Sequence, residues 1–212
     1  MSLILASGSP RRRQLLARLG LPFRVVVPDL DEDVPSPSDL APDQMAEALA
    51  GAKAIIVAQR ERRGLVLAAD TLVVDGETVL GKPRDAAEAM AMLRRLRGRE
   101  HRVITGVALV DAACPASSVS HVLTTTSVRM RPYTDAEIAA YIARGEPFDK
   151  AGAYAIQDQA FHPVASYHSC YCNVVGLPLR AVVSLLRQAG LDITHHHLVG
   201  LPQECENCPI PS

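Results

Sequence analysis

A layered α/β fold is what this sequence predicts, and three features predict it. Helix-period and strand-period segments interleave along the chain, glycines stop the helical segments, and no internal stretch has the composition of a linker. With 212 residues, 48% of them hydrophobic, there is enough apolar material to bury a sizeable core. Leu3 to Ala6 is a short apolar run broken by Ser7-Gly8-Ser9, after which Pro10 opens a helix with Leu15, Leu16 and Leu19 on one face and Gly20 as its stop. Phe23 to Val27 reads as a second strand, followed by an acidic, proline-punctuated loop from Asp29 to Pro37. A long helix from about Pro42 to Arg62 carries Met45, Leu49, Ala52, Ile55 and Ile56 at helical spacing and ends before Gly64.

Leu65 to Val74 is a continuous apolar strand interrupted only by Asp70-Thr71, and Asp75-Gly76 signals a hairpin turn into Thr78 to Leu80. A helix from Ala86 to Arg97 leads to strands at Arg102 to Val110 and Val122 to Met130. Thr134-Asp135-Ala136-Glu137 is a capping box opening a helix that reaches about Arg144. An irregular, strand-rich segment from Ala151 to Val175 precedes the last helix, begun by Pro178, with Leu179, Val182, Val183 and Leu186 inward. One domain over residues 1–189 and a flexible, polar, Cys/His-containing tail over 190–212 is the expected organisation.

The formal net charge of −1, from 22 basic and 23 acidic residues, gives no overall field that would draw the chain onto nucleic acid or an anionic membrane. Apolar runs fall far short of the ~20 residues that span a bilayer, and the N-terminus does not read as a signal segment, so a cytoplasmic location is expected. Five irregularly spaced cysteines do not read as a secreted disulfide framework and are expected to be reduced. Any polyanion site must be local.

Ser9-Pro10-Arg11-Arg12-Arg13 points to one. Ser9 is an N-cap and Pro10 an N1 residue, which puts three arginines in the first helical turn, where each exposed cation is disfavoured by roughly 0.3–1 kcal/mol. A bound phosphate would reverse that sign, with loop amides pointing at it, Gly8 permitting close approach and guanidinium forks gripping its oxygens. A solvated basic helix start is the alternative, and the segment lacks the Gly-Lys-Ser/Thr ending of a Walker loop. Asp70 is the second anomaly, because a carboxylate within LVLAADTLVV needs a cation, a metal or a role. Counting back from a turn at Asp75-Gly76 sets Asp70 opposite Gly81, with Lys82 one residue away on the other face. Lys53 has its stem on the partly buried side of the long helix, and the acidic trio Asp31-Glu32-Asp33 offers ligands for a divalent cation.

In order along the chain stand LASGSPRR at Leu5 to Arg12, Lys53, AADT at Ala68 to Thr71, GKP at Gly81 to Pro83, KAGAYAIQ at Lys150 to Gln157 and NVVGLPL at Asn173 to Leu179. In these motifs the chain resembles the Maf-like family, from about Leu3 to about Leu186. The resemblance implies a nucleoside triphosphate pyrophosphatase that cleaves between the α and β phosphates. It also implies an elongated α/β fold around a mixed sheet with the cleft between two lobes, a divalent metal (Mg²⁺ or Mn²⁺) and, often, a homodimer. Carried over residue by residue, it makes Asp70 the proton acceptor or metal ligand; Glu32, from the acidic trio, is a further candidate ligand for that metal. Ser7, Arg11, Arg12, Lys53 and Lys82 become the triphosphate-binding set, and Arg11, Thr71 and Gln157 help to choose the base. KAGAYAIQ is similar to the branch favouring dTTP and UTP.

The sequence departs from that pattern after Gln157, with no glycine between Gly152 and Gly176, and Cys170 and Cys172 stand where small polar residues are commoner. Two other readings remain. A nucleotide-binding regulator of cell division would use the same cleft without turnover, and Cys205-x-x-Cys208 with His195-His196-His197 could form a metal-binding module in the tail.

Overall fold

A computed structural model describes residues 2–29, 40–115, 119–194, 197, 201–205 and 208. Among them, strands β1 (Leu3–Ala6), β2 (Phe23–Val26), β3 (Leu65–Asp75), β4 (Thr78–Leu80), β5 (Glu100–Asp111), β6 (Val119–Met130) and β7 (Val164–His168) form a single mixed sheet. Its order is β2-β1-β3-β5-β6-β7, with β4 hydrogen-bonded to β3 off that path. β1 runs parallel to both β2 and β3, and the remaining pairs are antiparallel. The helices are α1 (Pro10–Ala17), α2 (Pro42–Glu61), α3 (Ala86–Leu96), α4 (Asp135–Ala143), α5 (Tyr171–Val175) and α6 (Leu179–Gln188).

Parallel pairing requires crossovers, which α1 and α2 provide. Leu15 and Leu16 of α1 pack with Leu3, Leu5, Leu65 and Leu67, whereas Ala50, Ala54 and Val57 of α2 pack with Ile4, Ala6, Val66 and Ala68. Alternate residues of a strand face opposite ways, so the two helices cover opposite faces of β1 and β3. α2 can lie this close to the sheet because β5 offers Gly106 beneath it; a Cβ there would stand 2.4 Å from the Ala46 carbonyl oxygen. Gly106→Val is therefore expected to lift α2 and cost about 1–3 kcal/mol, read as a fall in Tm of several degrees. An unchanged Tm would contradict the close packing.

A second apolar cluster, under α3 and α4, gathers Val73, Leu93, Leu96, Val103, Tyr133, Ile138, Tyr141 and Phe161. His101 sits against it, with Nε2 2.8 Å from the Tyr154 hydroxyl. Burial pushes its pKa from 6.5 down to about 4. The folded state thus resists a proton that the unfolded chain accepts, so this contribution is intact above the ordinary histidine pKa and declines as the pH falls from about 6.5 toward 4. A loss of up to about 3 kcal/mol is expected across that window, and denaturant titrations of His101→Gln should show a flatter pH slope.

The expected elements appear with ends moved by a few residues, except in two places. First, the hairpin turns on Gly76-Glu77: Asp75 pairs with Thr78 and Val73 with Leu80, two residues away from the predicted register. Gly76 takes φ 62° at the first central position, which glycine does without steric cost. Second, the segment after Ala151 is not strand-rich. It holds one strand, β7, and the NVV of NVVGLPL lies in α5, so Cys170 and Cys172 flank a helix start rather than alternate on a strand. Without the glycines, His162 (φ 45°) and Ser169 (φ 100°) take left-handed conformations. Asp158 holds this loop by accepting the Phe161 amide at 2.7 Å and binding Arg144, while Phe161 stacks on Tyr141 at 4.5 Å.

The tail is packed where it is described: Ile193, Cys205 and Cys208 belong to the cluster under α1 and α6, and Arg180 Nε donates to the Cys205 carbonyl at 2.8 Å. The expectation of reduced thiols is also corrected, since Cys172 and Cys205 are joined in a disulfide.

Candidate active site

β3 is 11 residues long, but each neighbour on one of its edges is short. β1 pairs only with Leu65 to Leu67 and β4 only with Val73 to Asp75. Residues 68–72 are left without a strand partner on that edge, and Asp70-Thr71 falls in the middle of the gap. Here β1 ends, and the chain turns into the loop that starts α1. This is the carboxyl end of a parallel strand whose two crossovers leave on opposite faces, the position where open α/β sheets form ligand crevices.

A cavity of about 950 Å³ occupies the gap. Its walls include Ser7, Arg11, Arg12, Lys53, Asp70, Thr71, Lys82 and Gln157, so these predicted residues come together in one cleft. Glu32 lies outside the described residues. Arg84, Asp149 and Lys150 add to the charged lining, giving, among the described residues, six cationic side chains against two carboxylates in a protein of net charge −1. A local excess of that kind concentrates anions.

The N-terminal loop is shaped as its residues dictate. Ser7, buried, accepts the Ser9 amide at 3.1 Å, and Ser9 caps α1 by accepting the Arg12 amide at 3.4 Å, with Pro10 following. A Cβ on Gly8 would meet only Val27, at an ordinary 3.5 Å, so the protein itself does not demand glycine there. Of the three first-turn arginines, Arg11 and Arg12 line the cleft and Arg13 is exposed outside it.

Arg12 is anchored by two neutral acceptors. Its Nε donates to the Gly176 carbonyl at 2.8 Å and Nη2 to Thr71 Oγ1 at 3.1 Å. Thr105 spends its hydroxyl proton on the Asn173 carbonyl at 3.3 Å, so the 2.9 Å contact between Thr71 and Thr105 must be donated by Thr71. Thr71 therefore accepts from Arg12 and keeps no proton for a ligand. Burial lowers the Arg12 pKa, opposed by Asp70, and guanidinium stays charged regardless. Asn173 is itself buried, donating to the Val103 carbonyl and Thr126 Oγ1, each at 2.9 Å.

Asp70 faces α2, where its partner is Lys53 rather than Lys82. The corrected hairpin register ends β4 at Leu80, and exposed Lys82 reaches the cleft from the loop beyond it. Sequence reasoning missed Asp149, whose carboxylate takes Arg11 Nη1 at 2.6 Å while its carbonyl takes Nη2 at 3.0 Å. It also missed Lys150, buried and held by Asp149 at 2.7 Å. Both adjoin or begin the KAGAYAIQ motif, which was the available signal.

Fold and site together define an α/β protein with a cationic cleft, suited to a polyphosphate, around one carboxylate in a sheet gap. The Maf-like protein family matches residues 2–189, and the chain belongs to it. The chain is 53% identical over 210 residues to a dTTP/UTP pyrophosphatase of Thermomicrobium roseum, covering 99% of this chain and 94% of that protein. It is 51% identical over 191 residues to a dTTP/UTP pyrophosphatase of Moorella thermoacetica, covering 90% and 96%. Among solved structures it is similar to a HAM1 protein from Coxiella burnetii, at 16% identity over 63% of this chain and 74% of that one, with a TM-score of 0.46.

Proposed function

We propose that this chain hydrolyses nucleoside triphosphates, dTTP and UTP foremost, to the monophosphate and pyrophosphate. The observation that carries the reading is the single carboxylate of Asp70, set in the sheet gap and ringed by cations from α1, α2 and the β4 loop. Relatives at 53% and 51% identity bear the name dTTP/UTP pyrophosphatase, which agrees with it.

Ser7, Arg11, Arg12, Lys53 and Lys82 hold the triphosphate. A water attacks the α-phosphorus as the bond to the α–β bridging oxygen breaks; Asp70 takes the water's proton and pyrophosphate leaves with the bond electrons. Lys53 has two partners to choose from. Phosphate oxygens compete with Asp70 for its ammonium, which leaves the carboxylate open to the attacking water. Positioning and charge compensation supply most of the rate.

Among the described residues no group of three His, Cys, Asp or Glu donors converges in the cleft. Where Mg²⁺ or Mn²⁺ binds, Asp70 would be its ligand in the cleft and Glu32 a further one, since Mg²⁺ commonly takes one or two carboxylates beside a substrate phosphate. When bound, the ion offsets phosphate charge and acidifies a water.

Val27 and Phe148, unusually exposed apolar side chains, both line the cleft and offer a surface to a base, with Gln157 at the rim. A carboxamide supplies a donor and an acceptor to the imide edge of uracil or thymine. The same reading takes the protein to be cytoplasmic and homodimeric; among the described residues no helix is long and apolar enough to cross a membrane. The test is kcat/KM over dTTP, UTP, CTP and 7-methyl-GTP with pyrophosphate detection. A preference of at least about tenfold for the first two is expected, and nucleotide binding without pyrophosphate release would turn the protein into a regulator and end this reading.

A further inference from the structure

The CxC at Cys170 and Cys172 and the CxxC at Cys205 and Cys208 are separated in sequence, with 33 residues from Cys172 to Cys205, yet their sulfurs meet. The Sγ atoms of Cys170, Cys205 and Cys208 all lie within 4.8 Å of one another, and Cys172 is bonded to Cys205. All four residues are buried, none more than 3% exposed. The site differs in kind from the cleft: the donors that meet here among the described residues are cysteine sulfurs.

We propose that, in the reduced chain, these four cysteines form a closed tetrathiolate site for Zn²⁺, which fastens the tail to α5. Zinc bonded to sulfur at about 2.3 Å in a tetrahedron needs sulfurs roughly 3.8 Å apart. Three sulfurs within 4.8 Å of one another, with a fourth bonded to one of them, come within reach of that spacing once the bond is opened. Two separate disulfides would need only two pairs, not one common cluster. Four buried cysteine donors are the ligand set of a structural zinc centre rather than a catalytic one.

The ligand set differs from the one the tail sequence suggests. His197 Nδ1 is engaged with Thr194, accepting its amide at 3.1 Å, and His195 and His196 lie outside the described residues. Cys170 and Cys172 take the place of the histidines.

Disulfide and zinc are alternative occupants of the same sulfurs. A dithiol reductant opens the Cys172–Cys205 bond, donating two electrons and two protons and becoming a disulfide itself. Zn²⁺ then replaces four thiol protons, leaving a dianionic centre and four protons in solution. The consequence reaches the cleft, because α5 carries Asn173 and ends at Gly176, whose carbonyl holds Arg12.

The experiment is independent of nucleotide turnover. Full-length protein is treated with a dithiol, given Zn²⁺, desalted, and assayed for metal and for thiols reactive before and after chelation. One zinc per chain and four thiols that react only after chelation are expected, with Tm falling when the metal is stripped. Cys205→Ser/Cys208→Ser and Cys170→Ser/Cys172→Ser should each lose the metal. Should those variants fail to fold, Co²⁺ added to the reduced wild type still decides, because tetrahedral thiolate ligation gives its own ligand-field and charge-transfer bands. Reduced wild type that takes up neither ion stoichiometrically overturns the proposal, as does zinc retained in folded cysteine variants.

Discussion

Asp70→Asn is expected to reduce kcat for pyrophosphate release by roughly 10²–10⁴-fold, the range for loss of a positioned proton acceptor. Nucleotide binding should persist or tighten. The amide keeps the shape of the carboxylate but removes a negative charge from a cleft that receives an anion, and it releases Lys53 for phosphate. The fold should tolerate the change: Lys53 is about a quarter exposed and can turn to water, so stability should shift by no more than about 1 kcal/mol. Single-turnover assays with dTTP or UTP, alongside nucleotide titration, separate these effects. A variant that retains more than a tenth of wild-type kcat would remove Asp70 from the chemistry, and one that no longer binds nucleotide would make it a binding residue.

How much of this was legible in the sequence varies with the range of the forces involved. Most helices and strands follow from local periodicity and caps; Ser9 and Thr134 each cap the helix that their position announces. The register of the β3–β4 hairpin was not legible, because both Asp75-Gly76 and Gly76-Glu77 are acceptable turns and only packing of Val73 against Leu80 and the second cluster selects one. The segment after Gln157 misled for a related reason. Its alternating apolar residues look like strand, yet Phe161 is drawn into an aromatic cluster with Tyr133 and Tyr141, and Asp158 caps the resulting loop.

For the site, the sequence announced which residues were anomalous but not which of them meet. Asp70 inside an apolar strand required a partner; that the partner is Lys53 depends on Gly106 admitting α2 to the sheet at Ala46, a contact between elements distant in sequence. The signal for Asp149 was weak, its place just before KAGAYAIQ, and an acidic residue there looks like any exposed loop charge until Arg11 is seen to reach it. The four-cysteine cluster shows the same limit: each half is an unremarkable pair, and only the path of the tail past α6 brings the halves together.

Arg12 supplies the second large effect. Arg12→Lys is expected to lower kcat/KM about 100-fold, mostly through KM if the phosphate contact is made equally in ground and transition states. Two of the five guanidinium donors are spent on Gly176 and Thr71, which fixes the plane of the fork and leaves the rest directed at the cleft. A lysine keeps the charge but cannot make both anchoring bonds and still present a fork. Arg13→Ala provides the contrast, because Arg13 sits in the same helical turn, carries the same charge and lies outside the cleft. If phosphate is held by specific geometry, Arg13→Ala should change kcat/KM by less than about threefold at physiological salt, where exposed charges beyond about 8 Å are screened. Equal losses in the two variants, both relieved by lowering the ionic strength, would mean that a diffuse positive field and not the Arg12 fork captures the substrate.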